Sequence, residues 1–153
     1  MKKQKRSGNN HTNGQRKVFQ LICVSNPKEI AKVENFLKSV NKVAKLDDGT
    51  FYRLLIASTE AVNNGIMHGN KSDQSKRVCI TCTLKPGALV VKVQDEGEGF
   101  DYEHVPSPID EANLMKESGR GIFLMRSMMD KVAFRTNKHG SVVVMTINLK
   151  RLQ

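Results

Sequence analysis

Glu60-Ala61-Val62-Asn63-Asn64-Gly65-Ile66-Met67-His68-Gly69-Asn70 is the stretch on which the reading of this chain turns. Glu60, Asn64 and His68 are spaced four apart, so on a helix they form one polar edge. Upstream, Phe51, Leu54, Leu55, Ser58, Ala61, Val62 and Ile66 make a broad stripe at helical spacing. The spacing predicts a helix from about Thr50 to His68, ended by Gly69-Asn70. Gly65 costs such a helix about 1 kcal/mol against alanine, which suggests a close approach by something at that point. Asparagine is a poor mid-helix residue, so Asn64 asks for a reason to be there.

Elements are readable on either side. Val18 to Val24 reads as a strand, and Pro27 opens a helix carrying Ile30, Val33, Leu37, Val40 and Ala44. Arg77–Leu84 and Ala88–Gln94 read as strands joined by Lys85-Pro86-Gly87. Gly121 to Asp130 is helical. Lys131–Thr136 and Ser141–Leu149 form a second hairpin about Asn137-Lys138-His139-Gly140. Between them, Phe100 to Ser118 is polar and weakly patterned, as a cover over a site would be. Two hairpins imply antiparallel pairing. The expected fold is an α+β two-layer sandwich, a mixed and mostly antiparallel sheet packed on helices, rather than a doubly wound parallel sheet.

The 153 residues suit one domain, with residues 1–16 as a basic, disordered arm and 17–153 as the folded unit. That arm lacks the apolar core of a secretory signal. No apolar run approaches the roughly 18 residues of a membrane span. Cytoplasmic location and no membrane partner are therefore expected. The net charge of +10 lies partly in the arm and is otherwise scattered singly. With six phenylalanines, two tyrosines and no tryptophan there is no basic–aromatic interleaving, so nucleic acid is disfavoured as partner. An acidic protein, or phosphates in a pocket, explains the sign as well. Cys23, Cys79 and Cys82 fall in apolar strand-like runs. Cys79 and Cys82, three apart, would face opposite ways on a strand, which reads as core thiols rather than a metal or redox pair.

Three segments carry chemistry. Asn64 can offer a hard amide oxygen to magnesium. Glu60, one turn earlier, can take a proton from an attacking hydroxyl, and His68, one turn later, can donate to a phosphate. Asp95 closes an apolar strand, where its carboxylate can accept from an exocyclic amine such as that of adenine. Gly97 and Gly99 let backbone pass close to a planar base. Gly119-Arg120-Gly121 precedes a helix whose free amides can hold phosphate, and Arg120 can bind phosphate or a partner carboxylate. Thr146, in the last strand, could set a hydroxyl beside the base. A carboxylate–amide ladder with two glycine loops is what a magnesium–nucleotide pocket needs.

Over roughly residues 18 to 149 the chain resembles the GHKL (Bergerat-fold) ATPase superfamily of gyrase, histidine kinases and MutL. Glu60 to Asn70 resembles its N box, and Asp95–Gly99 and Gly119–Gly121 its two glycine boxes. Within the group it looks most like the bacterial anti-sigma serine kinases of the sporulation and general stress switches, whose Glu-Ala-x-x-Asn-x-x-x-His-Gly-Asn form is met at every fixed position. The resemblance implies ATP and Mg2+, with Glu60 as catalytic base and Asn64 holding the metal. It implies Asp95 and Thr146 at adenine and Arg120 near phosphates and partner. His68, Gly69, Gly97, Gly99, Gly119 and Gly121 would shape the pocket. It further implies transfer of the γ-phosphate to a serine of an anti-anti-sigma (STAS-type) protein, sequestration of a sigma factor, and a homodimer. The short stretch between the glycine boxes lacks a histidine kinase lid. A catalytically silent ATP-binding interaction module is the alternative.

Overall fold

The computed structural model describes residues 14–98 and 117–149. Five strands form one sheet in the order β1-β2-β3-β5-β4, and each neighbouring pair is antiparallel. They are β1 (Lys17–Val24), β2 (Arg77–Lys85), β3 (Ala88–Gln94), β4 (Lys131–Asn137) and β5 (Gly140–Asn148). Three helices, α1 (Ile30–Ala44), α2 (Asp48–Asn64) and α3 (Glu117–Met128), complete the α+β fold. Among the described residues the sheet has no parallel pair, so the expected mixed sheet is antiparallel throughout.

Strand alternation puts one face into the core. Val78, Ile80 and Cys82 of β2, Leu89, Val91 and Val93 of β3, and Val143, Met145 and Ile147 of β5 are all buried. Val33, Leu37 and Val40 of α1 meet them, with Leu54, Ala57, Ala61 and Val62 of α2 and Ile122 and Met125 of α3. Each large aliphatic side chain buried there contributes about 1.5–3 kcal/mol. The opposite face is exposed or half-buried, and carries Val18, Ile22, Lys92 and Thr146.

Local signals fix the helix ends. Pro27 starts a short 3-10 turn, Pro27–Glu29, whose cap Asn26 accepts from the Lys28 N–H at 3.0 Å. Asp47 caps α2, accepting from the Thr50 N–H and hydroxyl, each at 2.8 Å. Arg53 donates to the Met128 carbonyl at 2.7 Å and pairs with Asp130 at 3.3 Å. At the far end of the seam, Gly121 lies against Glu60 and Asn64. Helix α3 therefore runs antiparallel to α2.

Two differences from the sequence reading bear on the site. Helix α2 ends at Asn64 and continues as a π-turn, Gly65–Gly69, closed by the Asn70 N–H on the Gly65 carbonyl at 2.8 Å. Helix α3 already runs at Glu117, where the described residues resume, so Gly119, Arg120 and Gly121 lie within the helix and not in a loop before it. Packing against α2 overrides glycine's poor helix propensity there. The basic arm falls outside the described residues up to position 13, as does most of the stretch read as a cover.

Candidate functional site

Glu60, Asn63, Asn64, Met67, His68, Arg120, Gly121 and Leu124 line a cleft of about 330 Å³. The helical ladder is thus kept: its three members open on one space, and α3 supplies Arg120 from the other wall. Arg120 and His68 are exposed, whereas Glu60 and Asn64 are half-buried. Gly121 is what permits the seam. A Cβ added there would stand 2.9 Å from Glu60 Oε2 and 3.4 Å from both Asn64 amide atoms. Gly119, two residues earlier, is buried. The cleft offers a carboxylate, two carboxamides, an imidazole and a guanidinium, a donor set suited to phosphate and a hard cation.

Asp95 lies behind the π-turn and does not line that cleft. It follows β3 directly and is 4% exposed. Its Oδ1 accepts from the Gly97 N–H at 2.9 Å and the Ser141 N–H at 3.0 Å. Burial raises its carboxyl above the usual aspartate range, and those two hydrogen bonds, then Lys76, oppose the rise. Four glycines surround it. Added Cβ atoms at Gly69, Gly97 and Gly140 would strike the Asp95 carboxylate, the Gly69 carbonyl and the Asp95 carbonyl, respectively. One at Gly65 would meet the Asp95 Cβ at 3.5 Å. The tighter neighbours of a Cβ at Gly65 would be the two Val78 methyls, each at 3.3 Å, and that packing accounts for a glycine inside the helical pattern. Gly99 lies outside the described residues.

Thr146 does not join the site. It pairs with Val90 and Lys131, on the sheet face opposite Val143, Met145 and Ile147. The residue of β5 beside Asp95 is Ser141, buried, with a hydroxyl that has no hydrogen-bond partner among the described residues. Parity along Ser141 to Leu149 carried that signal, because the hydrophobic positions 143, 145 and 147 share Ser141's face. Gly140 was likewise readable only as a turn, yet its φ of +142° and its closeness to Asp95 make it part of the pocket wall.

Asn70 was singled out only as a motif position. It is 1% exposed and fully engaged. Its Nδ2 donates to Ser25 Oγ at 2.7 Å and to the Arg77 carbonyl at 3.0 Å, and its Oδ1 accepts from the Glu96 N–H at 2.8 Å. Ser25 had no distinguishing context in the sequence.

Two of the three cysteines are core thiols, as expected, and Cys79 is not. Cys82 is buried facing the core, Cys79 is half-buried on the other face, and Cys23 is buried. Burial pushes the Cys82 thiol up to about 12 and the Cys23 thiol up to about 11. Among the described residues no helix is long and apolar enough to cross a membrane.

Comparison with known proteins agrees with this fold. The family described as "Histidine kinase-like ATPase domain" matches residues 23–147. A protein named "Serine-protein kinase RsbW" from Bacillus subtilis (strain 168) is 33% identical over 97 residues, covering 60% of this chain and 59% of that one. Its namesake from Listeria monocytogenes serovar 1/2a is 32% identical over 108 residues, covering 65% of this chain and 68% of that one. The chain thus spans about three fifths to two thirds of the length of these relatives. Among solved structures, the RsbU and RsbW domains of a Mycobacterium tuberculosis protein superpose with a TM-score of 0.66 at 14% identity, over 89% of this chain and 33% of that one. A histidine kinase domain from Erythrobacter litoralis gives 0.52 at 19% identity, over 78% and 60%. At those identities the likeness is one of fold.

Proposed function

The chain belongs to the histidine kinase-like ATPase domain family, and from that premise we propose that it is an ATP-dependent protein-serine kinase and anti-sigma factor. Its phosphoacceptor is a serine of an anti-anti-sigma, STAS-type protein. It works in the cytoplasm as a homodimer. The observation that carries this reading is the shared cleft of Glu60, Asn64, His68 and Arg120, with Asp95 held buried just behind it.

The residues fit ATP and magnesium. Asp95 sits in a cradle that any Cβ would fill, and beside it Ser141 has a buried hydroxyl with no partner among the described residues. A planar base with an exocyclic amine suits both groups. Asp95 would accept from the amine, and Gly69, Gly97 and Gly140 would admit the ring. Asn64 would hold magnesium, which when bound neutralises charge on the phosphates. Arg120 and His68 would bind phosphate oxygens from two sides of the cleft.

Glu60 is the base. As the acceptor serine oxygen bonds to the γ-phosphorus, the bond from phosphorus to the bridging oxygen breaks and ADP leaves. The hydroxyl proton passes to Glu60. The new phosphate puts about two negative charges into the interface and releases the partner. Relatives named as serine-protein kinases support this direction of transfer.

Incubation with ATP, magnesium and a co-encoded antagonist protein tests the reading. Phosphoserine on that protein, found by mass spectrometry, is the expected result. ATP binding without transfer to any such protein would leave the interaction module as the better account.

A further inference from the structure

We infer that Asn70 is a positioning residue for nucleotide binding, one that holds the loop bearing Asp95 in its binding form with Ser25 setting the direction of its amide. The inference rests on the reading of Asp95 as the base-recognising carboxylate.

The hydrogen bonds leave only one orientation for the amide. Ser25 donates its hydroxyl proton to the Lys76 carbonyl at 2.8 Å, so toward Asn70 its oxygen can only accept. The Arg77 carbonyl on the same side can also only accept. Nδ2 must face both, which turns Oδ1 onto the Glu96 N–H. Glu96 is the residue after Asp95, and the next N–H, of Gly97, already binds Asp95 Oδ1. Both peptide groups following Asp95 are therefore held, one by Asn70 and one by Asp95 itself.

Asn70 is also held at some expense. The two residues after it, Lys71 and Ser72, adopt left-handed φ values of +52° and +56° although neither is glycine. The Ser72 N–H returns to the Ile66 carbonyl at 2.7 Å, closing the turn. Strain of this kind persists where surrounding contacts over-determine a conformation. One buried amide here joins the end of β1, the start of β2 and the loop after β3. Asn70 lines none of the phosphate-side cleft, so its effect should fall on affinity and not on the transfer step.

Asn70→Asp keeps the size and the acceptor but removes both donors, and Ser25→Ala removes one acceptor while leaving the Arg77 carbonyl in place. ATP affinity measured by calorimetry on the full chain should fall about tenfold to hundredfold for Asn70→Asp and about threefold to tenfold for Ser25→Ala. The KM for ATP should rise in step, with kcat at saturating ATP within about twofold of the parent. Ser25→Ala carries the test alone if Asn70→Asp does not fold, as judged by thermal melting. A parent that does not bind ATP overturns the kinase reading and this inference together. A parent that binds ATP and loses it through Asp95→Asn, yet keeps its affinity in the folded variants or loses kcat instead, overturns only the inference.

Discussion

Gly121 of α3 lies against Glu60 of α2 so closely that a methyl group on it would stand 2.9 Å from the carboxylate oxygen Oε2. The atom in the way is the far end of a flexible side chain, so the fold can give. Gly121→Ala should therefore melt no lower than the parent, helped by up to about 1 kcal/mol of helix propensity. Displacing Glu60 should lower phosphoryl transfer by about tenfold or more. A melt and a transfer assay on one preparation check both halves.

Glu60→Gln keeps the shape and removes the proton acceptor. Transfer to the acceptor serine should fall by about 10²–10⁴-fold. ATP affinity should stay within a few-fold, since the binding groups at Asn64, Arg120 and Asp95 are untouched. Calorimetry beside a radiolabel assay separates the two. Loss of ATP binding would mean that Glu60 holds nucleotide and does not act as a base.

Asp95 is an acid whose folded-state carboxyl titrates above its ordinary range because it is buried. In the pH window from the unfolded value near 3.8 up to the raised one, the folded chain holds the extra proton. Its contribution to stability is thus full below that window and is lost as pH rises through it. Asp95→Asn has no such loss, and its amide oxygen can still accept from Gly97 and Ser141. The variant should be at least as stable as the parent at pH 7, and the difference should shrink in acid. ATP binding should disappear. Denaturant melts at several pH values, with calorimetry, test the trade of stability for function.

Gly140 has a φ of +142°, and its missing side chain would run into the carbonyl of Asp95. Here the obstacle is backbone and cannot rotate away. Gly140→Ala should destabilise the domain by about 2–4 kcal/mol and weaken ATP binding with it. Gly87, in the other hairpin, has a φ of +78° but open space around it. Gly87→Ala should cost only the strain of the left-handed position, about 1–2 kcal/mol. Gly140→Ala should be the more damaging of the two, and the two melts check that order.

Ser72 sits left-handed at +56° and is exposed. Ser72→Gly should raise stability by about 0.5–1 kcal/mol, a shift of about 2–4 °C in Tm, without changing ATP affinity.

Much of this was readable from residue order alone, for a physical reason. Leu54, Ala61, Val62 and Ile66 bury one stripe of a helix, so their period announces it, and Lys85-Pro86-Gly87 can do little but turn. The ladder of Glu60, Asn64 and His68 came from the same periodicity. The glycines of the second box were placed before a helix because propensity says so, whereas contact with Glu60 and Asn64 decided otherwise. Strand parity sets Ser141, and not Thr146, on the face shared with Val143, Met145 and Ile147. Ser25 was beyond reach: its partner Asn70 is 45 positions away, and neither carries a local mark of the other.

The π-turn at Gly65–Gly69 has a consequence for how this chain can vary. It accommodates one more residue than an α-helical turn would. Were the same residues wound as a regular α-helix instead, every position beyond would swing by roughly 100° about the axis. Asn70 would then lose Ser25, Arg77 and Glu96 together. The width of this one turn should therefore be held more strictly than side-chain identity at the exposed Met67.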